Sequence, residues 1–161
     1  MYITVASLIV HNTPIETYYV DSIPINVKRE DLSALPPLPP LAKMRGIALH
    51  IEGLKTKGVS LIGDACTRFS KSVQGVAAIA KMLEMQCIVG YPRTKELPPQ
   101  IAKAQELGAE LYPVPPGRTR IIYYMTRKYV QSKNGTMLPF YLACPETTSA
   151  VAKEAATVSD K

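Results

Sequence analysis

Short apolar runs rich in β-branched residues alternate along the chain with longer segments whose apolar positions recur every three or four residues. Ile3–Val10, Ile23–Lys28, Val59–Gly63, Gln86–Gly90 and Glu110–Val114 are of the first kind and read as strands. Ala42–Leu54, Ser70–Met85 and Leu97–Leu107 are of the second kind and read as helices. In the middle one, Val73, Val76, Ala77, Ala80 and Leu83 fall on one face, while Lys71, Gln74, Lys81 and Glu84 lie elsewhere. The third carries Pro98 and Pro99 near its start, where missing amide donors cost little, and Gly108 just past its end. Strand–helix–strand–helix–strand over residues 59–114 predicts a doubly wound α/β domain on a mainly parallel sheet. Residues 59–63, 86–90 and 110–114 should be neighbours, crossed over by 70–85 and 97–107.

Two stretches interrupt the alternation. Pro36-Pro37-Leu38-Pro39-Pro40 is too rich in proline for a helix or central strand, so it reads as an extended connector entering the helix at Ala42. Pro113–Gly117 ends a strand and turns before a helical Arg118–Tyr129; Met137–Tyr141 reads as a short strand and Pro145–Val158 as a last helix. A chain of 161 residues fits one domain with its own core, residues 1–161, needing no metal or disulfide. The apolar N-terminus has no basic residues before it and no small-residue cleavage pattern after it, and reads as a buried strand, not a signal peptide. No run approaches the ~18 apolar residues that span a bilayer, which excludes membrane partners of that kind.

Composition narrows the chemistry. The three cysteines, Cys66, Cys87 and Cys144, are far apart and form no CxxC pair, as expected of reduced thiols in a cytoplasmic protein. Two histidines without a cysteine pair beside them argue against a zinc site, so no metal is expected. The net charge of +6 suits phosphate-bearing partners, or equally a mildly basic solvated surface. No basic run is interleaved with aromatics, so nucleic acid is left open as a partner without a motif for it. Oligomerisation is open as well, a homodimer included.

Several segments, taken in order, match one family. Thr13-Pro14-Ile15-Glu16 is followed by Val27-Lys28-Arg29-Glu30-Asp31-Leu32. Then come Ala42-Lys43-Met44-Arg45-Gly46, Val59-Ser60-Leu61-Ile62-Gly63, a polar turn, and the helix segment Val76-Ala77-Ala78-Ile79-Ala80. This order resembles the fold-type II pyridoxal-phosphate enzymes, in the style of aminocyclopropane-carboxylate deaminase and D-cysteine desulfhydrase. It covers residues 13–114 and, more faintly, the rest. Short phage chains with a KMRG-like helix start resemble it further, and they bring DNA-base modification as a context.

The resemblance implies pyridoxal 5'-phosphate as cofactor and an amino acid or amine as substrate, in lyase or deaminase chemistry. It puts the Schiff-base lysine at Lys43, and a lysine in the first turn of a helix behind a stiff proline segment is well held for that role. It puts Ser70, Lys71 and Ser72 in the turn that grips the substrate carboxylate and the cofactor. Lys71 stands where the family has asparagine, a departure that puts that contact in doubt. Asp64, Thr67, Arg68 and Ser70 are the candidates for substrate binding: Asp64 beyond a strand end, where open α/β sheets hold ligands, the others around a helix start with free amides. Cys66, with no histidine near it in sequence, reads as an inert thiol, and Gly117-Arg118-Thr119-Arg120 is a weak anion-binding start.

The family's glycine-rich phosphate turn has no counterpart, since Gly135 is the lone glycine after Gly117. A fragment, a shortened member and a descendant without catalysis are the competing explanations. A non-catalytic α/β module that keeps an anion site at residues 64–72 is therefore the alternative function. A nucleotide- or sugar-phosphate enzyme of another doubly wound class has only the architecture behind it.

Overall fold

The computed structural model describes residues 4–159. Four parallel strands form the central sheet in the order β5 (Glu110–Val114), β4 (Gln86–Pro92), β3 (Leu61–Ala65), β6 (Thr136–Met137). The first three are the expected neighbours, joined by α2 (Ser72–Met82) and α3 (Pro99–Glu106). Both connections move the same way across the sheet, so right-handed crossovers place both helices on one face. The chain then returns through α4 (Thr119–Ser132) on the other face and enters β6 on the far side of β3. The direction in which the connections cross the sheet thus reverses, which creates a topological switch point between the parallel strands β3 and β6.

β3 and β4 are buried on both faces, which explains their continuous apolar runs. Gly63 and Gly90 let α4 lie close against the sheet: a Cβ at either would run into Val130 or Thr126 of α4. On the opposite side, α1 (Met44–Thr56) packs on α2 and α5 (Pro145–Ser159) packs on α1. Met44, Ile47 and Ile51 of α1, Val73, Val76 and Ile79 of α2, and Ile62 and Val89 of the sheet are fully buried and form the centre of the core. Gly58 and Gly108, beyond α1 and α3, take the left-handed conformation typical after a helix end (φ +83° and +97°).

Three expectations change. Strand β3 runs two residues later than Val59–Gly63, which puts Asp64 inside the strand and not after it. Ile3 lies outside the described residues, and the rest of Ile3–Val10 is no strand: Ala6–Leu8 form a single 3-10 turn and Ile9 bridges only Ala34. Its apolar residues are buried without a strand ladder, Val5 and Leu8 joining the core as points and not as an alternating face. Of Met137–Tyr141 only Met137 is in a strand; Phe140–Leu142 is a 3-10 turn, because Pro139 has no amide to continue the ladder.

Ile23–Lys28 is strand β2 as expected, but its partner is local. β1 (Ile15–Val20) pairs with it antiparallel through a two-residue turn in which Asp21 and Ser22 both have positive φ. The charged motif after β2 is a clamp. Arg45 on α1 has a fully buried side chain; its guanidinium donates to Glu30 at 2.6 Å and to the Val10 carbonyl at 2.9 Å. Lys28 pairs with the buried Glu154 of α5 at 2.8 Å.

Candidate active site

Lys43 is the residue just ahead of α1, and its backbone is fixed by the fully buried Met44 and Arg45 that follow it. Its ammonium donates to the Tyr141 carbonyl at 2.9 Å and sits 5.9 Å from that ring's centre. Tyr141 and Leu142 both hold left-handed backbone (φ 57° and 56°), costly for non-glycine residues and typical of segments whose position is over-determined. Lys43 and Tyr141 face a cavity of about 120 Å³ at the C-terminal end of β3, also lined by Asp64, Thr67, Ser70, Ser72 and Thr119. This is the switch point between β3 and β6, where doubly wound sheets place their ligands.

A chain of polar contacts runs through the cavity wall. Ser72 Oγ donates to Asp64 Oδ2 at 3.0 Å, and the Ala65 amide donates to Asp64 Oδ1 at 2.8 Å. Ser70 Oγ lies 2.9 Å from Ser72 Oγ. A hydroxyl has one proton, so when Ser72 gives its proton to an ionised Asp64, Ser70 must donate to Ser72. Ser70 then offers only lone pairs to the cavity, and anions must rely on backbone amides. Protonation of Asp64 reverses the chain: Asp64 can donate to Ser72 and Ser72 to Ser70, which frees the Ser70 proton for the cavity. Burial is the main cause of the Asp64 carboxyl being pushed up to about 6, against the pull of the Ala65 amide, the Ser72 hydroxyl and the Lys43 charge.

The fold thus brings Lys43, Asp64, Thr67, Ser70 and Ser72 together and leaves two expected residues out. Lys71 is exposed and lies along the groove beside Pro36–Pro40, Gln74 and Lys103, because the first turn of α2 rotates it away from its serine neighbours. Arg68 is exposed and stacks on Phe69 with 5.5 Å to the ring centre. Cys66 lines the cavity, but burial pushes its thiol up to about 12, so it is no nucleophile at neutral pH. Tyr141 had no local signal in the sequence. Thr119 did: the Gly117–Arg120 segment opens α4, and its threonine, not its arginines, reaches the cavity. The N-termini of α2 and α4 therefore both meet the cavity, at Ser72 and Thr119.

The fold is that of the fold-type II pyridoxal-phosphate enzymes. Among curated proteins the chain is 36% identical, over 156 residues and 92% of its length, to the glycyl-dTMP PLP-dependent decarboxylase of Pseudomonas phage M6, and it spans 55% of that relative. An aminocyclopropane-carboxylate deaminase homologue superposes on 94% of the chain with a TM-score of 0.71 at 16% identity, 49% of its own length being covered. Diaminopropionate ammonia lyase of Escherichia coli does so on 94% with a TM-score of 0.65 at 16% identity, 47% of its length being covered. A hydrogen sulfide-producing enzyme of Fusobacterium nucleatum matches 83% with a TM-score of 0.63 at 22% identity and 43% of its length. The chain thus spans about half of the proteins it matches. No protein-family profile matches it. Among the described residues, no helix is long and apolar enough to cross a membrane.

Proposed function

We propose that the chain carries the lysine side of a pyridoxal-phosphate site that decarboxylates an amino acid, with Lys43 as the covalent anchor of the cofactor. The observation that carries this is the convergence of Lys43, Asp64, Ser70 and Ser72 on one cavity at the sheet's switch point. The residues fit such a cofactor: an amine for its aldehyde, and two helix N-termini, at Ser72 and Thr119, for anionic groups. When bound, the cofactor supplies the electron sink next to the substrate's α-carbon.

The chain's own residues do the rest. Lys43 would hold the cofactor, and its amine would carry a proton beside the reacting carbon. The α2 amides would hold the substrate carboxylate, and the protonation of Asp64 sets whether the Ser70 hydroxyl can donate to it as well. The phage relative's name supports an amino acid borne on a thymidine nucleotide as the substrate class. The basic net charge suits such a phosphate-bearing molecule.

The test is titration with pyridoxal phosphate, borohydride reduction and peptide mapping. The expected result is one modified peptide, containing Lys43. Lys43→Ala should abolish it while costing about 1 kcal/mol of stability or less, since what is lost is a hydrogen bond and a ring contact to the exposed Tyr141 and a weak attraction to Asp64. Lys71→Ala should leave labelling unchanged, because Lys71 lies outside the cavity. Labelling scattered over surface lysines, equal in wild type and Lys43→Ala, would refute the assignment and put the non-catalytic anion-binding module ahead.

A further inference from the structure

We propose that His50, Cys144 and Glu146 form a zinc(II) site at the contact between α1 and α5, separate from the cavity at Lys43. Gly46 makes the contact possible: a Cβ there would run into the backbone of Thr147, so the first turn of α5 rests directly on α1. His50 is one helical turn beyond Gly46, on the same side of α1. The close approach brings it against Cys144, immediately before α5, and Glu146 in the first turn of α5. One donor atom from each of the three side chains lies within 4.8 Å of the others, and His50 Nδ1 is 3.2 Å from Glu146 Oε2.

Tetrahedral zinc bonds of ~2.0–2.3 Å set ligand atoms roughly 3.3–3.6 Å apart, so closing this cluster asks for side-chain shifts of about 1 Å. A thiolate, an imidazole and a carboxylate form a mixed sulfur, nitrogen and oxygen set. Calcium and magnesium favour all-oxygen sites and copper(I) favours sulfur, so the set suits zinc best. Three protein ligands leave the fourth position for water. Glu146 also lines an open cavity of about 620 Å³ with His11, Ser149 and Lys153, which gives that position access to solvent. Without metal, the Cys144 thiol lies 3.1 Å from the Thr147 hydroxyl, and Glu146 pairs with His50. Binding replaces the thiol proton, and any imidazole proton, with the metal.

Untagged full-length protein, reduced, stripped with chelator and free of pyridoxal phosphate, is titrated with zinc against a chromophoric chelator, and separately with cobalt(II). One equivalent should bind. Cobalt should give a thiolate charge-transfer band in the near ultraviolet and strong visible bands of tetrahedral geometry. Cys144→Ser should remove the charge-transfer band, and Cys87→Ser should keep it. His50→Ala and Glu146→Gln should each weaken zinc binding by more than the roughly 10-fold lost when an outer-shell partner is removed. Both side chains are partly exposed, so these two variants fold and decide the matter if Cys144→Ser does not. Less than one equivalent of zinc, a cobalt spectrum without a thiolate band, or equal affinity in His50→Ala, Glu146→Gln and wild type would overturn the proposal.

Discussion

Asp64→Asn should stabilise the protein at neutral pH, and the gain should vanish in acid. Asp64 is 2% exposed near the end of β3. Burial, its largest influence, pushes its carboxyl from 3.8 up to about 6. A carboxyl whose folded value lies above its unfolded one gives the folded state extra protons between the two. Its effect on stability is therefore best below pH 3.8, worsens as pH rises through that window, and stays unfavourable above pH 6. At ~1.36 kcal/mol per pH unit, keeping the ionised group buried costs about 3 kcal/mol. Asparagine has nearly the same shape and no charge. Its oxygen can accept from the Ala65 amide and its NH₂ can donate to Ser72 Oγ, so no buried group is stranded. Weaker neutral hydrogen bonds offset part of the gain, leaving about 1–2 kcal/mol above pH 7, or a rise in Tm of roughly 2–8 °C. Calorimetric melts of both proteins from pH 8 to pH 4 measure the difference, which should close toward pH 4. A variant that melts below wild type at pH 8, or a difference independent of pH, would refute the reasoning. It would mean that Asp64 is held ionised by its partners and not penalised by burial.

Glu154 should behave with the opposite sign. Burial works to raise its carboxyl, but Lys28 and the amides of Asn12 and Thr13 outweigh it and hold the group at about 2 against an ordinary 4.5. Its contribution is whole above pH 4.5 and is lost as pH falls toward 2, so Glu154→Gln should flatten the acid limb of a melting profile. Arg45→Met removes a fully buried guanidinium from Glu30 and the Val10 carbonyl. Breaking such a pair costs about 3–5 kcal/mol; Glu30, 35% exposed, can rehydrate, so urea unfolding should read near the lower end. Gly46→Ala should cost about 3 kcal/mol by thermal melts, since the backbone of Thr147 occupies the space. Gly53→Ala, on the same helix with nothing within 4 Å, should gain about 0.5–1 kcal/mol.

The alternation of patterns over residues 59–114 was enough to specify the parallel order β5-β4-β3 and the two helices that cross between those strands. That information is local: periodicity records which faces are buried, and right-handed crossovers leave little choice of topology. The motif order around Lys43 also named the family. β1 was not read, because Ile15–Val20 is largely exposed and pairs only within its own hairpin, leaving no buried face to imprint a pattern. The two-residue shift of β3 turned Asp64 from a lip residue into a buried carboxylate, since the strand's end is set by the ladder to β4 and not by its own residues.

At the site, residues adjacent in sequence were separated: Ser70 and Ser72 line the cavity, while Lys71, between them, points to the proline connector. A helix turns about 100° per residue, and only the direction of α2 against the sheet decides which side faces β3. Tyr141 reaches Lys43 across 98 residues of sequence, and Glu146 reaches His50 across 96. No local rule links such pairs. They meet because β6 pairs with β3, bringing the following turn over the switch point, and because Gly46 lets α5 lie directly on α1.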